Sequence, residues 1–155
     1  MGYKIEKAEK KDLAEILALQ KAAFYRIAAH HSNFMIRPLH TTLGEIMESF
    51  EKYTYIKITS GKRIIASGRA FIENGKCELE NIIVHPEHQR KGIGRKVVTE
   101  LERLFPDARV YELFTGKDTT GNVGFYQSLG YSIEDKIEAT KTEPLLVIMR
   151  KPGSS

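Results

Sequence analysis

The chain has 155 residues, 41% apolar and 28% charged, with a net charge of +4. This is the length and make-up of one globular domain and excludes a disordered, collagen-like or disulfide-stapled chain; the lone cysteine, Cys77, points to a reducing, cytoplasmic setting. The opening residues Met1 to Lys7 lack the apolar run of a signal peptide, and no stretch approaches the roughly 20 apolar residues that span a bilayer.

In chain order, Tyr3 to Ala8 alternates as a short strand. From about Lys11 the period becomes helical, and Leu13, Ile16, Leu17, Ala23, Phe24 and Ile27 can share one broad apolar face. His30-His31-Ser32-Asn33 and Pro38 break it. Thr42-Leu43-Gly44-Glu45 has the form of a capping box opening a short helix through Phe50. Tyr53 to Thr59 and Arg63 to Ile72 read as strands around a Ser60-Gly61-Lys62 turn. Asn74-Gly75 predicts a hairpin that returns as Lys76 to Val84, so three strands form an antiparallel meander.

Val97, Val98, Leu101, Leu104 and Phe105 predict a helix from about Gly92 to Phe105, ended by Pro106. Arg109 to Phe114 is a strand, Thr119 to Leu129 mostly helix, and Tyr131 to Glu138 and Leu145 to Arg150 close the order. Lys151 to Ser155 are expected to form a flexible tail. No repeat or linker divides the chain, so 1–155 is taken as a single domain.

The most informative segment is Ile82-Ile83-Val84-His85-Pro86-Glu87-His88-Gln89-Arg90-Lys91-Gly92-Ile93-Gly94-Arg95. A strand leads into a glycine-bearing helix start. Glycines let backbone approach a ligand, free N–H groups at a helix start favour an anion, and Arg90, Lys91 and Arg95 add full charges. The pattern suits a pyrophosphate. It is not a P-loop, which needs Gly-Lys followed by Ser or Thr, nor a dinucleotide fingerprint, whose third glycine would stand at Val97. A plain glycine-bearing loop on a basic helix is the competing reading.

Gln89-Arg90-Lys91-Gly92-Ile93-Gly94 resembles the coenzyme A motif of the GNAT (Gcn5-related N-acetyltransferase) family, Gln/Arg-x-x-Gly-x-Gly/Ala. Val84-His85-Pro86-Glu87 is also typical of that family. Asn122-Val123-Gly124-Phe125-Tyr126-Gln127-Ser128-Leu129-Gly130-Tyr131 looks like its second block. The resemblance covers the central and C-terminal half. It implies an α/β (α+β) fold, a mixed and mostly antiparallel sheet flanked by about four helices. It also implies transfer of an acetyl group from acetyl-CoA to a primary amine, without a metal. Backbone amides of Arg90, Lys91, Gly92, Ile93, Gly94 and Arg95 would bind the pyrophosphate, with Gln89 opening the same cofactor-binding motif. The strand edge at Ile82, Ile83 and Val84 would pair with the pantetheine amides and polarise the thioester carbonyl, and Asn122 and Phe125 would line the carrier. The acceptor is an amine on a small molecule or peptide, with no nucleic acid or membrane involved, and a homodimer is compatible with the family.

The chemistry needs a proton acceptor for the amine and a donor for the departing thiolate. Glu78 and Glu80 alternate with Cys77 and Leu79, so both carboxylates point to one strand face; Ile82 and Val84 are expected to continue that face. The family often places its base at these positions, and Glu80 lies nearer the implied thioester; a solvent-facing pair is the plainer reading. Tyr126 stands where the family carries its general-acid tyrosine, the competing reading being a core aromatic beside Phe125. Cys77 reads as a packed structural thiol, and His85 and His88 as no metal site. The resemblance also implies an acceptor wall over about residues 24–41, made apolar by Phe24, Tyr25, Phe34 and Met35; His30, His31 and His40 could line it but read first as exposed loop histidines. Two other functions keep the same features in view. A non-catalytic coenzyme A sensor would retain the loop without turnover, and a nucleic-acid module would interleave aromatics with Lys and Arg on an exposed face.

Overall fold

The computed structural model describes residues 2–30, 34–117, 121–138 and 145–154, the side chain of His30 apart. In chain order these form β1 (Lys4–Lys7), α1 (Leu13–His30), α2 (Leu43–Ser49), β2 (Thr54–Ser60), β3 (Arg63–Glu73), β4 (Lys76–Val84), α3 (Ile93–Leu104), β5 (Val110–Gly116), α4 (Asn122–Ser128), β6 (Ser132–Ile137) and β7 (Leu146–Pro152). Single 3-10 turns precede α1, α2 and α3. His31, Thr119 and Thr120 lie outside the described residues, so the expected helix is seen from Asn122.

The strands form one mixed sheet in the order β1-β2-β3-β4-β5-β7-β6. Every pairing is antiparallel except β4 with β5. The expected β2-β3-β4 meander is present, its second hairpin turning at Asn74-Gly75. The capping box also forms: Glu45 N–H donates to Thr42 Oγ1 and Thr42 N–H to Glu45 Oε1, which satisfies two donors at the start of α2.

Two apolar layers sandwich the sheet. Ile93, Val97, Val98 and Leu101 of α3 pack with Ile56, Ile58, Leu79, Leu113 and Met149 on one face. Leu13, Ile16, Leu17 and Leu19 of α1, with Ile46 of α2, pack on Tyr55, Ile64 and Ile83 on the other. The expected loose tail does not begin at Lys151. Lys151 and Pro152 belong to β7, Lys151 Nζ reaches Glu102 at 2.9 Å, and Gly153 N–H donates to Arg109 O. Backbone pairing and a partly buried ion pair hold these residues where the loss of apolar pattern suggested a frayed end.

Candidate functional site

Residues of β4 pair with β5 only from Lys76 to Leu79, opposite Val110 to Leu113. Beyond Leu79 the strands splay, leaving the β5-facing edge of Glu80–Val84 outside the ladder. At the same place β4 carries an extra residue. Arg69 stands opposite Glu80 but Ser67 opposite Ile83, and Asn81 has φ +52°. Asparagine tolerates this left-handed conformation better than most residues, and one added residue resets the alternation of faces. Glu78 and Glu80 face the α1 side, as expected from their spacing, but Ile82 and Val84 do not continue their face. They pack on the α3 layer, and Ile83 takes the place beside α1 instead.

The loop after β4 folds back on the strand end, where Gln89 Nε2 donates to Val84 O at 3.3 Å. Gly92 caps α3 with φ +77°, a conformation that costs glycine little. The first helical bond runs from Lys96 N–H to Gly92 O, so the amides of Ile93, Gly94 and Arg95 lie ahead of it and point out of the helix. A Cβ on Gly94 would stand 3.2 Å from Phe125 Cζ, so the glycine lets α4 settle against this start. A cleft of about 800 Å³ runs from the splayed edge of β4 to these amides. Ile82, Ile83, Val84, Gln89, Arg90, Gly92, Ile93, Gly94, Arg95, Asn122 and Phe125 all line it. Lys91 is exposed and does not. Asn122 Nδ2 donates to Thr115 Oγ1 at 3.3 Å and ties the start of α4 to the end of β5.

A second cleft, of about 520 Å³, opens on the α1 side between splayed β4 and β5. Tyr126 borders both clefts. Its ring packs edge-on against Phe125 and Tyr131, and burial raises its pKa, so the phenol keeps its proton at neutral pH. Three carboxylates line the second cleft. Glu80 has both oxygens engaged, Oε1 by Arg69 Nη2 at 2.7 Å and Oε2 by the Tyr53 hydroxyl at 2.8 Å. Glu78 meets Lys76 Nζ at 3.4 Å through Oε1, and its Oε2 has no partner among the described residues. Glu112 is buried and paired with Arg150 Nε at 2.7 Å and Lys76 Nζ at 3.3 Å.

Sequence reasoning missed Glu112 and Gln20. The available signal was a charged residue inside the apolar run Val110 to Phe114, and an amide within the buried stripe of α1. The far wall of the second cleft is made by Phe24, Ile27, Ile36 and Pro38, with Arg37. Tyr25, Phe34 and Met35 were expected there, but they turn outward and are exposed. Tyr25 packs at a tilt against Phe34, and His40 Nε2 donates to Phe34 O at 2.8 Å. Cys77 is fully buried, which pushes its thiol up to about 12 and makes it inert at neutral pH. Burial and Arg63 lower the pKa of His85. Among the described residues no group of three His, Cys, Asp or Glu side chains could hold a metal.

A model of the acetyltransferase (GNAT) family matches residues 13–131. Over 76 residues the chain is 36% identical to a glucosamine 6-phosphate N-acetyltransferase of Schizosaccharomyces pombe, a match covering 44% of this chain and 68% of that protein. The structure of PaiA N-acetyltransferase from Thermoplasma acidophilum in complex with coenzyme A aligns with TM-score 0.78 at 18% identity, over 98% of this chain and 99% of that one. The ribosomal-protein-S18-alanine N-acetyltransferase of Escherichia coli aligns with TM-score 0.77 at 19% identity, over 99% and 96%. No helix among the described residues is long and apolar enough to cross a membrane.

Proposed function

The chain belongs to the acetyltransferase (GNAT) family, and we propose that it moves the acetyl group of acetyl-CoA to a primary amine by direct attack on the thioester. The observation that carries this reading is the junction at Tyr126. One cleft ends there in helix-start amides, the other in carboxylates, and the unpaired edge of β4 runs between them.

The first cleft fits the carrier by its donor set. Amides of Ile93, Gly94 and Arg95, with the charges of Arg90 and Arg95, suit a diphosphate. The open edge of Ile82–Val84 suits the amides of a pantetheine arm laid on as an added strand. Acetyl-CoA supplies the activated acyl group as a thioester. The chain's part is to hold it and to move two protons. Glu78 keeps a free oxygen on the acceptor side and takes the proton of the incoming ammonium, so that a lone pair becomes available. Glu80, occupied by Arg69 and Tyr53, holds the cleft wall and the local charge balance. Backbone N–H groups at the β4 bulge aim at the carbonyl oxygen as it gains charge. Tyr126, protonated and buried, donates toward the leaving sulfur and is restored by the second proton, which the attacking nitrogen sheds as the amide forms.

Two of the similar proteins act, by name, on a sugar amine and on an alanine of a ribosomal protein. Glucosamine 6-phosphate and a peptide with N-terminal alanine therefore head an amine panel scored by free thiol release from acetyl-CoA. Release that depends on both amine and Tyr126 supports the reading. Tight coenzyme A binding with no release across the panel favours the sensor, and no coenzyme A binding by folded protein removes both.

A further inference from the structure

Gln20 is the one buried amide side chain of α1, 2% exposed within an apolar stripe. It spends its amide on two distant segments. Its Nε2 donates to Pro38 O at 3.0 Å and to Thr41 Oγ1 at 3.2 Å, and its Oε1 accepts from Asn81 Nδ2 at 3.2 Å. The Pro38 carbonyl can only accept, which fixes the orientation of the Gln20 amide and leaves its oxygen for Asn81. Asn81 is the left-handed residue of the β4 bulge. Gln20, Pro38, Thr41 and Asn81 all line the second cleft.

We propose that Gln20 and Asn81 are positioning residues that lock the 37–41 segment, the outer wall of the acceptor cleft, onto the β4 bulge, so that the cleft is held open to one width before an amine enters. This rests on reading the second cleft as the acceptor site. Residues 37–39 form a single 3-10 turn that lies against α1. Among the described residues, the inward side-chain hydrogen bonds to Pro38 and Thr41 come from the buried amide of Gln20. Removing Asn81 leaves the buried Gln20 oxygen without its partner, and removing the Gln20 donor frees the half-buried Pro38 carbonyl and Thr41 hydroxyl, so both arms of the link meet in one buried amide. It also joins the wall to the strand edge that would carry the pantetheine arm, which fixes one side of the acceptor cleft to the donor side.

The test needs no known acceptor. Asn81→Gly keeps the left-handed backbone of the bulge and deletes only the amide. Gln20→Glu keeps an acceptor for Asn81 but gives Pro38 O no donor. Amide hydrogen exchange is followed for residues 36–41 and for the β4–β5 ladder, and coenzyme A affinity by calorimetry. Both variants are expected to exchange about tenfold faster at 36–41 than wild type, with ladder protection unchanged. Exchange at 36–41 matching wild type in Asn81→Gly would overturn the proposal. So would acceleration spread evenly over the ladder, since that marks general destabilisation. Gln20→Glu exchanging like wild type would remove the Pro38 arm of the lock and overturn it too. Wild type that fails to bind coenzyme A while 36–41 behaves as expected would count against the proposed function and leave the lock standing.

Discussion

Arg69 and Glu80 stand opposite each other in the β3–β4 ladder and close a 2.7 Å ion pair at the edge of the second cleft. Arg69 also donates to the Tyr55 hydroxyl at 2.9 Å, and its guanidinium lies 4.1 Å over the Tyr53 ring. Burial disfavours its charge, but Tyr55 and Glu80 outweigh that and raise its pKa. The pair is thus built into a bonded cluster reaching Ser49 at the end of α2.

That relationship separates the two glutamates experimentally. Glu80→Gln leaves a largely buried guanidinium without its counter-charge and is expected to cost about 1–3 kcal/mol of stability. For a chain this size that is a fall in Tm of several degrees by calorimetry. Glu78→Gln should leave Tm near wild type and lower kcat by roughly 100-fold. A lost kcat in folded Glu80→Gln, with an unchanged one in Glu78→Gln, would reverse the two roles.

Tyr126→Phe removes a single oxygen from a packed ring. The expected result is a kcat lower by roughly 100-fold, with unchanged coenzyme A affinity by calorimetry. Burial raises the pKa of Tyr126, so the phenol remains a donor past the ordinary tyrosine value of about 10. The wild-type rate should therefore show no loss near pH 10 that Tyr126→Phe abolishes. Such a loss would mean that the hydroxyl ionises in the working range.

Most of the fold was legible because its signals are local. The Thr42–Glu45 box, the Asn74-Gly75 turn and the apolar period of α3 each specify their own backbone. The chemistry was less legible where it depends on pairing between strands. Alternation places Glu78 and Glu80 together, but it carries silently through Asn81, whose left-handed conformation moves Ile82 and Val84 to the other face. Asparagine was the available hint, and asparagine alone does not announce a bulge. Glu112 reads as an oddity in an apolar strand until β7 brings Arg150 alongside. Lys151 looks like the start of a tail until Glu102 of α3 is found beside it.

The anion reading of the α3 start predicts a salt-sensitive contact. Arg95→Ala should weaken coenzyme A binding by about fivefold at low salt and reduce the salt dependence of the affinity. Dephospho-coenzyme A keeps the diphosphate and loses the ribose phosphate. If Arg95 faces the diphosphate, Arg95→Ala should weaken both ligands by the same factor. A loss confined to coenzyme A would move Arg95 to the ribose phosphate.

Gly68 sits in β3 next to the bulge register, under α3. A Cβ there would come 2.6 Å from Val97 Cγ1 and 3.0 Å from both Ile82 Cδ1 and Leu101 Cδ1. Three side chains packed from two elements would have to move at once. Gly68→Ala is expected to lose about 1–3 kcal/mol by urea unfolding. Because Ile82 is one of the three, coenzyme A affinity should fall with it. Wild-type stability in this variant would show that the α3 layer has slack beside β4.

Cys77 gives a pH test of core integrity. Its folded pKa is raised from 9.0 to about 12, chiefly by burial, so the native state holds the proton more tightly than the unfolded chain. Its contribution is therefore fully present below about pH 9 and is lost as pH rises from there toward 12, at up to about 1.4 kcal/mol per pH unit. The raised tyrosines Tyr53, Tyr111, Tyr126 and Tyr131 push in the same direction as pH passes through the ordinary tyrosine value of 10.0. Between pH 9 and 10 thiol and tyrosines act together, so the thiol's share is read from the difference between wild type and Cys77→Ala. Cys77→Ala should be less stable at pH 8, because it leaves a small cavity, yet lose less stability than wild type across that interval. Parallel curves in urea unfolding at pH 8, 9 and 10 would show that the thiol ionises as easily in the folded sheet as in the open chain.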